Sequence, residues 1–237
     1  MYRTIGIIGG MGPAATCDLM QKIITHTLAP NDQGHIRLLV DSNTNIPDRT
    51  AAILHGGADP VPQLRESARL LAGAGAAALI MPCNTAHYFY DAVQESVEIP
   101  VLHMPRETAE LLRRRGITRA GVLATDGTVQ TGVYEKALRE AGVEPIYPTP
   151  AHQADIMELI YGYVKKGITS KAQLPVEKAR AALEDLRSRG AQTVLLACTE
   201  LPIAFESMEL SDGCVDPTLV LACAAIRFAG APLTEEP

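Results

Sequence analysis

The chain of 237 residues carries 27 acidic and 21 basic side chains, for a net charge of −6, and 47% of its residues are hydrophobic. That balance offers no general attraction to nucleic acid or to an anionic membrane surface, and no apolar run reaches the roughly 18 residues needed to cross a bilayer. Three Phe and no Trp leave the core to aliphatic side chains, in a chain long enough to bury one.

The N-terminus begins like a secretion signal, with Arg3 before an apolar stretch, but Gly9-Gly10 and Gly12-Pro13 interrupt it. From there, short apolar runs alternate with stretches of helical periodicity. The pattern predicts a strand at Thr4–Ile8, a helix at Ala14–Thr27, a strand at Ile36–Val40 and a helix at Val61–Ala74. Next come a strand at Ala77–Met81, a helix at Thr85–Ser96, a strand at Val101–His103 and a helix at Pro105–Arg115. The second part repeats the theme, with strands at Ala120–Ala124, Glu144–Tyr147 and Thr193–Ala197. Its helices are Gln130–Ala141, Asp155–Lys166, Val176–Arg189 and Pro217–Phe228, and Thr234–Pro237 reads as a disordered tail.

Strands that are apolar on both faces, separated by helices, indicate an α/β fold with parallel sheets flanked by helices. Right-handed crossovers place all strand C-termini of a sheet on one edge, which is where open α/β sheets bind ligands. The unusual residues fall at those junctions: Gly9-Gly10-Met11-Gly12-Pro13, Asp41-Ser42-Asn43-Thr44-Asn45, Pro82-Cys83-Asn84-Thr85, Thr125-Asp126-Gly127-Thr128 and Cys198-Thr199-Glu200.

One spacing relates the two parts. Gly6 and Gly121, Gly75-Ala76 and Gly190-Ala191, and Cys83 and Cys198 are each 115 positions apart. The chain therefore reads as two pseudo-symmetric duplicated domains. Residues 1–101 plus 215–237 form the N-terminal half with the first thiol, and 102–214 form the C-terminal half with the second.

Five cysteines, an odd number in a chain too large to need staples, argue for reduced thiols and a cytoplasmic setting. No Cys-x-x-Cys or His-x-x-x-His spacing occurs, so no metal site is expected. Cys17, Cys214 and Cys223 read as small structural hydrophobes. Cys83 and Cys198 differ, because each follows a strand where the next turn offers free N–H groups and a positive dipole end. That setting is expected to lower a thiol pKa.

Two thiols facing opposite sides of one carbon suit inversion by a two-base mechanism, in which a thiolate removes a proton while a thiol returns one. The carbanion must be stabilised by preorganised donors in a dry site. Asn84, Thr85 and Thr199 are placed to supply them, and the loops at Met11 and Thr125 share the predicted ligand edge.

Met81-Pro82-Cys83-Asn84-Thr85-Ala86-His87 and Ala197-Cys198-Thr199-Glu200-Leu201-Pro202 resemble the two signature motifs of the aspartate/glutamate racemase superfamily. Ile7-Ile8-Gly9-Gly10-Met11-Gly12-Pro13 and Ile46-Pro47-Asp48-Arg49-Thr50 are similar to its aspartate racemase branch. The resemblance implies a substrate held in a cleft between the two halves, a homodimer, and no cofactor. It also implies Cys83 and Cys198 as the bases, with Arg49 and Lys165 (or the neighbouring Lys166) holding the carboxylates of a small amino acid such as aspartate. Glutamate racemases of the superfamily typically have Asp-Ser-Gly after the first strand and Thr-His after the second cysteine. Here Gly9-Gly10-Met11 and Thr199-Glu200 stand instead, which favours aspartate or a broader amino-acid range.

Other features have plainer readings. The glycine-rich start lacks the Gly-x-Gly-x-x-Gly spacing of a dinucleotide site. Gly9, Gly10 and Gly12 would instead let backbone approach a carboxylate near Ala14. His87 is expected to pack or to cap, and Arg113-Arg114-Arg115 to be a solvated helix end. Glu200 could orient the Cys198 proton or bind a substrate ammonium. The same residues also allow a glutamate or broad-specificity racemase, a hydantoin racemase, a maleate isomerase, or a non-catalytic amino-acid or dicarboxylate binding protein.

Overall fold

The computed structural model describes residues 2–235. The chain divides into two compact units, Met1–Glu107 with Thr218–Pro237, and Thr108–Pro217. In chain order the first unit contains β1 (Ile5–Gly9), α1 (Pro13–His26), β2 (Leu38–Ser42), α2 (Arg49–Leu54), α3 (Val61–Gly73), β3 (Ala78–Ile80) and α4 (Tyr90–Gln94). A 3-10 turn, Thr85–Phe89, precedes α4, and α5 (Met104–Arg114) begins in this unit and ends in the second. There follow β4 (Arg119–Ala124), α6 (Asp126–Gln130), α7 (Val133–Glu140), β5 (Glu144–Ile146), α8 (Pro150–Met157), α9 (Val176–Ser188), β6 (Thr193–Ala197), α10 (Glu200–Ser207) and β7 (Cys214–Val215). Helix α11 (Pro217–Ala229) returns the chain to the first unit.

Both sheets are parallel, in the orders β2-β1-β3 and β5-β4-β6-β7. In the first, alternate residues feed two cores, as a sheet covered on both faces requires. Ile5, Ile7, Ala78 and Ile80 pack with Leu19 and Ile23 of α1 and with Leu221 and Ile226 of α11. Ile8, Leu79 and Met81 pack with Leu64, Ala68 and Leu71 of α3. In the second unit Leu123, Val194 and Leu196 pack with α8, α9 and α10 through Ile156, Leu183, Leu186, Leu201 and Phe205.

The 115-residue repeat is carried into the register. Ile5 pairs with Ala78 and Gly6 with Leu79 in the first sheet; Ala120 pairs with Thr193 and Gly121 with Val194 in the second. The repeat also explains its matched glycines. A Cβ on Gly6 would lie 2.6 Å from Leu79 Cδ2 and 3.2 Å from Leu71 Cβ. One on Gly121 would lie 3.1 Å from Val194 Cγ2 and 3.2 Å from Leu186 Cβ, the same neighbours one repeat later. In each unit the helix approaches the central strand too closely for a side chain.

Several elements depart from the sequence reading. Val101–His103 is not a strand; Val101 makes a single parallel bridge to Leu79, and His103 already turns the chain into α5, its carbonyl accepting from the Glu107 N–H at 3.1 Å. The expected helix Asp155–Lys166 begins earlier, with Pro150 in the first turn of α8, where its missing N–H breaks no bond. It then widens into a π-helix at Glu158–Tyr163 and tightens to a 3-10 turn at Val164–Lys166. Thr85–Ser96 likewise splits into the 3-10 turn and α4. Three segments read as loops contain short helices. Asp48 caps α2 by accepting from the Ala51 N–H, Thr125 caps α6, and α10 starts at Glu200. Of the expected tail, Thr234 and Glu235 carry no helix or strand, and the rest lies outside the described residues.

Candidate functional site

In the first unit the loop after β1 is knotted by side chains. The Gly10 N–H donates to Thr16 Oγ1 (2.9 Å), and that hydroxyl donates to the Gly12 carbonyl (3.1 Å). Gly10 has φ +87°, and a Cβ there would fall 2.4 Å from the Asn43 carbonyl carbon and oxygen. The glycine is therefore spent on the loop after β2, rather than on opening space for a carboxylate.

Arg49 joins the same two loops. Its guanidinium is buried and donates to the carbonyls of Ile46 (3.3 Å), Pro47 (2.9 Å) and Met11 (3.3 Å). The structure thus places it as a clamp on backbone carbonyls, on the strand-end edge where the sequence placed it. The Met11 side chain is buried in the apolar cluster that also contains Cys83.

Cys83 lies just beyond β3 and is 7% exposed. Its N–H donates to the Met81 carbonyl across Pro82 (2.8 Å), and its carbonyl lies 2.9 Å from His87 Nδ1. Asn84 and Thr85 follow it, both buried, at the start of the 3-10 turn. His87 is buried as well, and the Met104 backbone N–H points at its Nε2 (3.2 Å). An N–H aimed at Nε2 makes that nitrogen the acceptor, so the ring proton sits on Nδ1 and is donated to Cys83. Burial lowers the His87 pKa from 6.5 to about 4, against carbonyls of Cys83, Leu102 and Asn84 that favour the charged ring.

In the second unit Cys198 directly follows β6 and is 6% exposed. Its Sγ donates to Glu200 Oε2 at 3.0 Å. The Thr199 hydroxyl donates to the same oxygen (3.2 Å), and Lys165 Nζ donates to Oε1 (2.9 Å). Lys165 arrives on the 3-10 turn that ends the π-helical segment, 5.5 Å from the Tyr161 ring centre. One carboxylate therefore gathers a thiol, a hydroxyl and an ammonium. Four of the residues singled out in sequence meet here, and Lys165 meets Glu200 where a substrate carboxylate was expected.

The electrostatics of this cluster overturn one expectation. Burial, followed by the charge of Glu200, raises the Cys198 pKa well above its ordinary value, with Lys165 pulling the other way. Burial also pushes the Glu200 carboxyl up, but the charge and hydrogen bond of Lys165 outweigh it and leave Glu200 below the usual range. The ground state is a thiol donating to a carboxylate. A strand-end position is not enough to make a thiolate when the nearest charge is negative.

Thr125 closes β4 by capping α6. Its Oγ1 accepts from the Thr128 N–H (3.3 Å) and lies 3.2 Å from the Thr128 hydroxyl. Gln153 braces this loop by donating to the Ala124 carbonyl (3.0 Å) and to Asp126 Oδ1 (2.7 Å). Nothing local in the sequence signals Gln153, whose partners lie 27 and 29 positions away. The sequence also gave His87 no specific partner, although the residue stands one turn after Cys83.

The remaining thiols divide. Cys223 is buried as expected, whereas Cys17 is exposed on α1. Cys214 is partly buried, with its Sγ 3.7 Å from the Leu210 carbonyl. Among the described residues no group of three or more His, Cys, Asp or Glu could hold a metal ion, and no helix is long and apolar enough to cross a membrane.

Residues 8–225 match the profile of the Asp/Glu/Hydantoin racemase family. The chain is 27% identical over 222 residues to the broad specificity amino-acid racemase RacX of Bacillus subtilis (strain 168), covering 92% of this chain and 94% of that protein. It is similar in structure to Picrophilus torridus aspartate racemase, with TM-score 0.82 and 30% identity over 98% of this chain and 96% of that one. PH1733, an aspartate racemase homologue from Pyrococcus horikoshii OT3, gives TM-score 0.76 and 26% identity over 97% of this chain and all of that one, 100%.

Proposed function

Since the chain belongs to the Asp/Glu/Hydantoin racemase family, we propose that it is an amino-acid racemase that interconverts L- and D-aspartate without pyridoxal phosphate, using Cys83 and Cys198 as its two bases. The observation that carries this reading is the Cys198 thiol, 3.0 Å from a carboxylate held by Lys165, at the position one repeat after a second buried cysteine.

When Cys83 is the base, its thiolate takes the α-proton and the C–H electron pair remains on the α-carbon. Cys198 then donates its proton to the opposite face, and the two sulfurs end with their protonation exchanged. Glu200 and Lys165 govern that donation. The new Cys198 thiolate lies beside a negative carboxylate, and the Lys165 ammonium offsets the repulsion. In the reverse turnover that Cys198 thiolate is the base, and the α-proton it takes restores the thiol that donates to Glu200. Asn84, Thr85 and Thr199, with the Met11 and Thr125 loops, supply donors to the carbanion and carboxylate. Arg49 and Lys165 provide the cations a dicarboxylate requires; such a substrate would share Lys165 with Glu200 and compete with carbonyls for Arg49.

Similarity to a broad specificity racemase favours a second reading, in which the same thiols act on several amino acids. Incubation with single amino acids in D2O, without pyridoxal phosphate, tests both. Aspartate is expected to gain α-deuterium and to racemise, and Cys83→Ser and Cys198→Ser to abolish inversion. Faster exchange on other amino acids would establish the broad reading. Failure to deuterate any amino acid would sink the enzyme reading in favour of binding alone. Conversion of maleate to fumarate with aspartate untouched would replace it with a maleate isomerase.

A further inference from the structure

The two cysteine loops occupy equivalent places in the repeat but are held by different means. The Cys198 carbonyl accepts from the Leu201 backbone N–H at 2.9 Å, an ordinary turn closure. The Cys83 carbonyl lies 2.9 Å from a side chain, His87 Nδ1. The residue one repeat after His87 is Pro202, which has no ring donor and no N–H. The first loop therefore uses an imidazole for a task the second performs with its backbone.

The imidazole is braced from its far side. Nε2 accepts from the Met104 N–H, and the ring meets His103 edge-on at 5.2 Å. His103 in turn meets Tyr90 at 4.5 Å, and the Tyr90 hydroxyl donates to the Val101 carbonyl (3.1 Å). Both ring nitrogens are committed and the ring is 4% exposed. Cys83 is thus pinned at both backbone ends, by its own N–H to Met81 and by its carbonyl to His87. Once those two peptide groups are fixed, the direction of the Cys83 Cα–Cβ bond is fixed with them.

We propose that His87 is a positioning residue for Cys83, acting through the Cys83 carbonyl to aim the thiol. This rests on the two-thiol reading only where turnover is concerned; the effect on the thiol itself does not require it. The experiment compares His87→Leu, His87→Asn and His87→Gln with the unmodified protein. Asparagine places an amide donor near the position of Nδ1, whereas glutamine reaches toward Nε2 and the Met104 N–H. Alkylation of Cys83 and Cys198 by iodoacetamide is followed peptide by peptide, alongside α-proton exchange with aspartate and thermal melting.

Because an ångström of misplacement can cost a reacting group about a hundredfold, His87→Leu is expected to lower kcat about 10- to 100-fold, with KM within about twofold. Cys83 alkylation should change by about fivefold or more in the same variant while Cys198 alkylation stays constant. Asparagine should recover most of both losses and glutamine little of either. The proposal is overturned if the leucine variant folds and keeps the native Cys83 reactivity, or if Cys83 and Cys198 change together in step with the melting temperature. Should leucine prevent folding, equal recovery by asparagine and glutamine would overturn it, since the ring would then only fill space. A native protein that exchanges no α-proton sinks the racemase reading and leaves the alkylation comparison to decide this one.

Discussion

Around Cys198, two charges set one proton. Glu200 raises the thiol pKa and Lys165 lowers it, so removing them should move the thiol in opposite directions. In Glu200→Gln the alkylation of Cys198 should set in at lower pH than in the native protein; in Lys165→Met it should set in at higher pH. A shift in the same direction for both would contradict the arrangement. His87 supplies the second prediction at this scale. Its pKa is lowered on folding, so between 6.5 and about 4 the unfolded chain binds more protons than the folded one. The stability it contributes is complete above pH 6.5 and is lost as pH falls toward 4, by about 3 kcal/mol at most. Urea unfolding at pH 7, 5.5 and 4 should show that loss in the native protein and a shallower slope in His87→Asn.

Elements inherit their limits from such contacts. The repeat predicts that Gly6→Ala and Gly121→Ala act alike, because the added methyls meet equivalent helices, α3 and α9, and equivalent neighbouring strands. Overpacking of this kind costs about 1–3 kcal/mol, and the two variants should lose similar amounts by thermal melting. Gly10→Ala should cost more than either, since the obstacle is the Asn43 backbone and φ is +87°. The long elements were legible because their periodicity is strong: β1, α1, α3, β4, α9, β6 and α11 all fall near their expected places. Helices α2, α6 and α10 were not, because each is only 5 to 8 residues long and sits on a site loop whose unusual residues read as a turn. The capping side chains Asp48 and Thr125 were in the sequence, but a cap followed by so short a run carries little periodic signal.

For the whole molecule, the duplication and the chemistry make one joint prediction. Under the two-base scheme Cys83→Ser retains only the base that serves one enantiomer, and Cys198→Ser only the base that serves the other. Neither should invert aspartate in D2O. Any residual α-deuteration should appear on opposite enantiomers in the two variants, read by chiral chromatography with mass detection. Residual exchange on the same enantiomer in both would require a one-base scheme.

Periodicity and spacing along the chain were enough for the α/β class, the two-fold repeat and the placement of both thiols at strand ends. The sequence also singled out Glu200 and Lys165, though not as partners. The contact of Glu200 with the Cys198 proton, 2 positions away, was open to the sequence, whereas the fold alone brought Lys165 onto Glu200 across 35 positions. Only the fold turned Arg49 onto carbonyls and His87 onto Cys83. The physical reason is one of range. Local patterns act over a few residues, whereas the pKa of a buried thiol depends on which charges the fold brings close to it and how little water it leaves there.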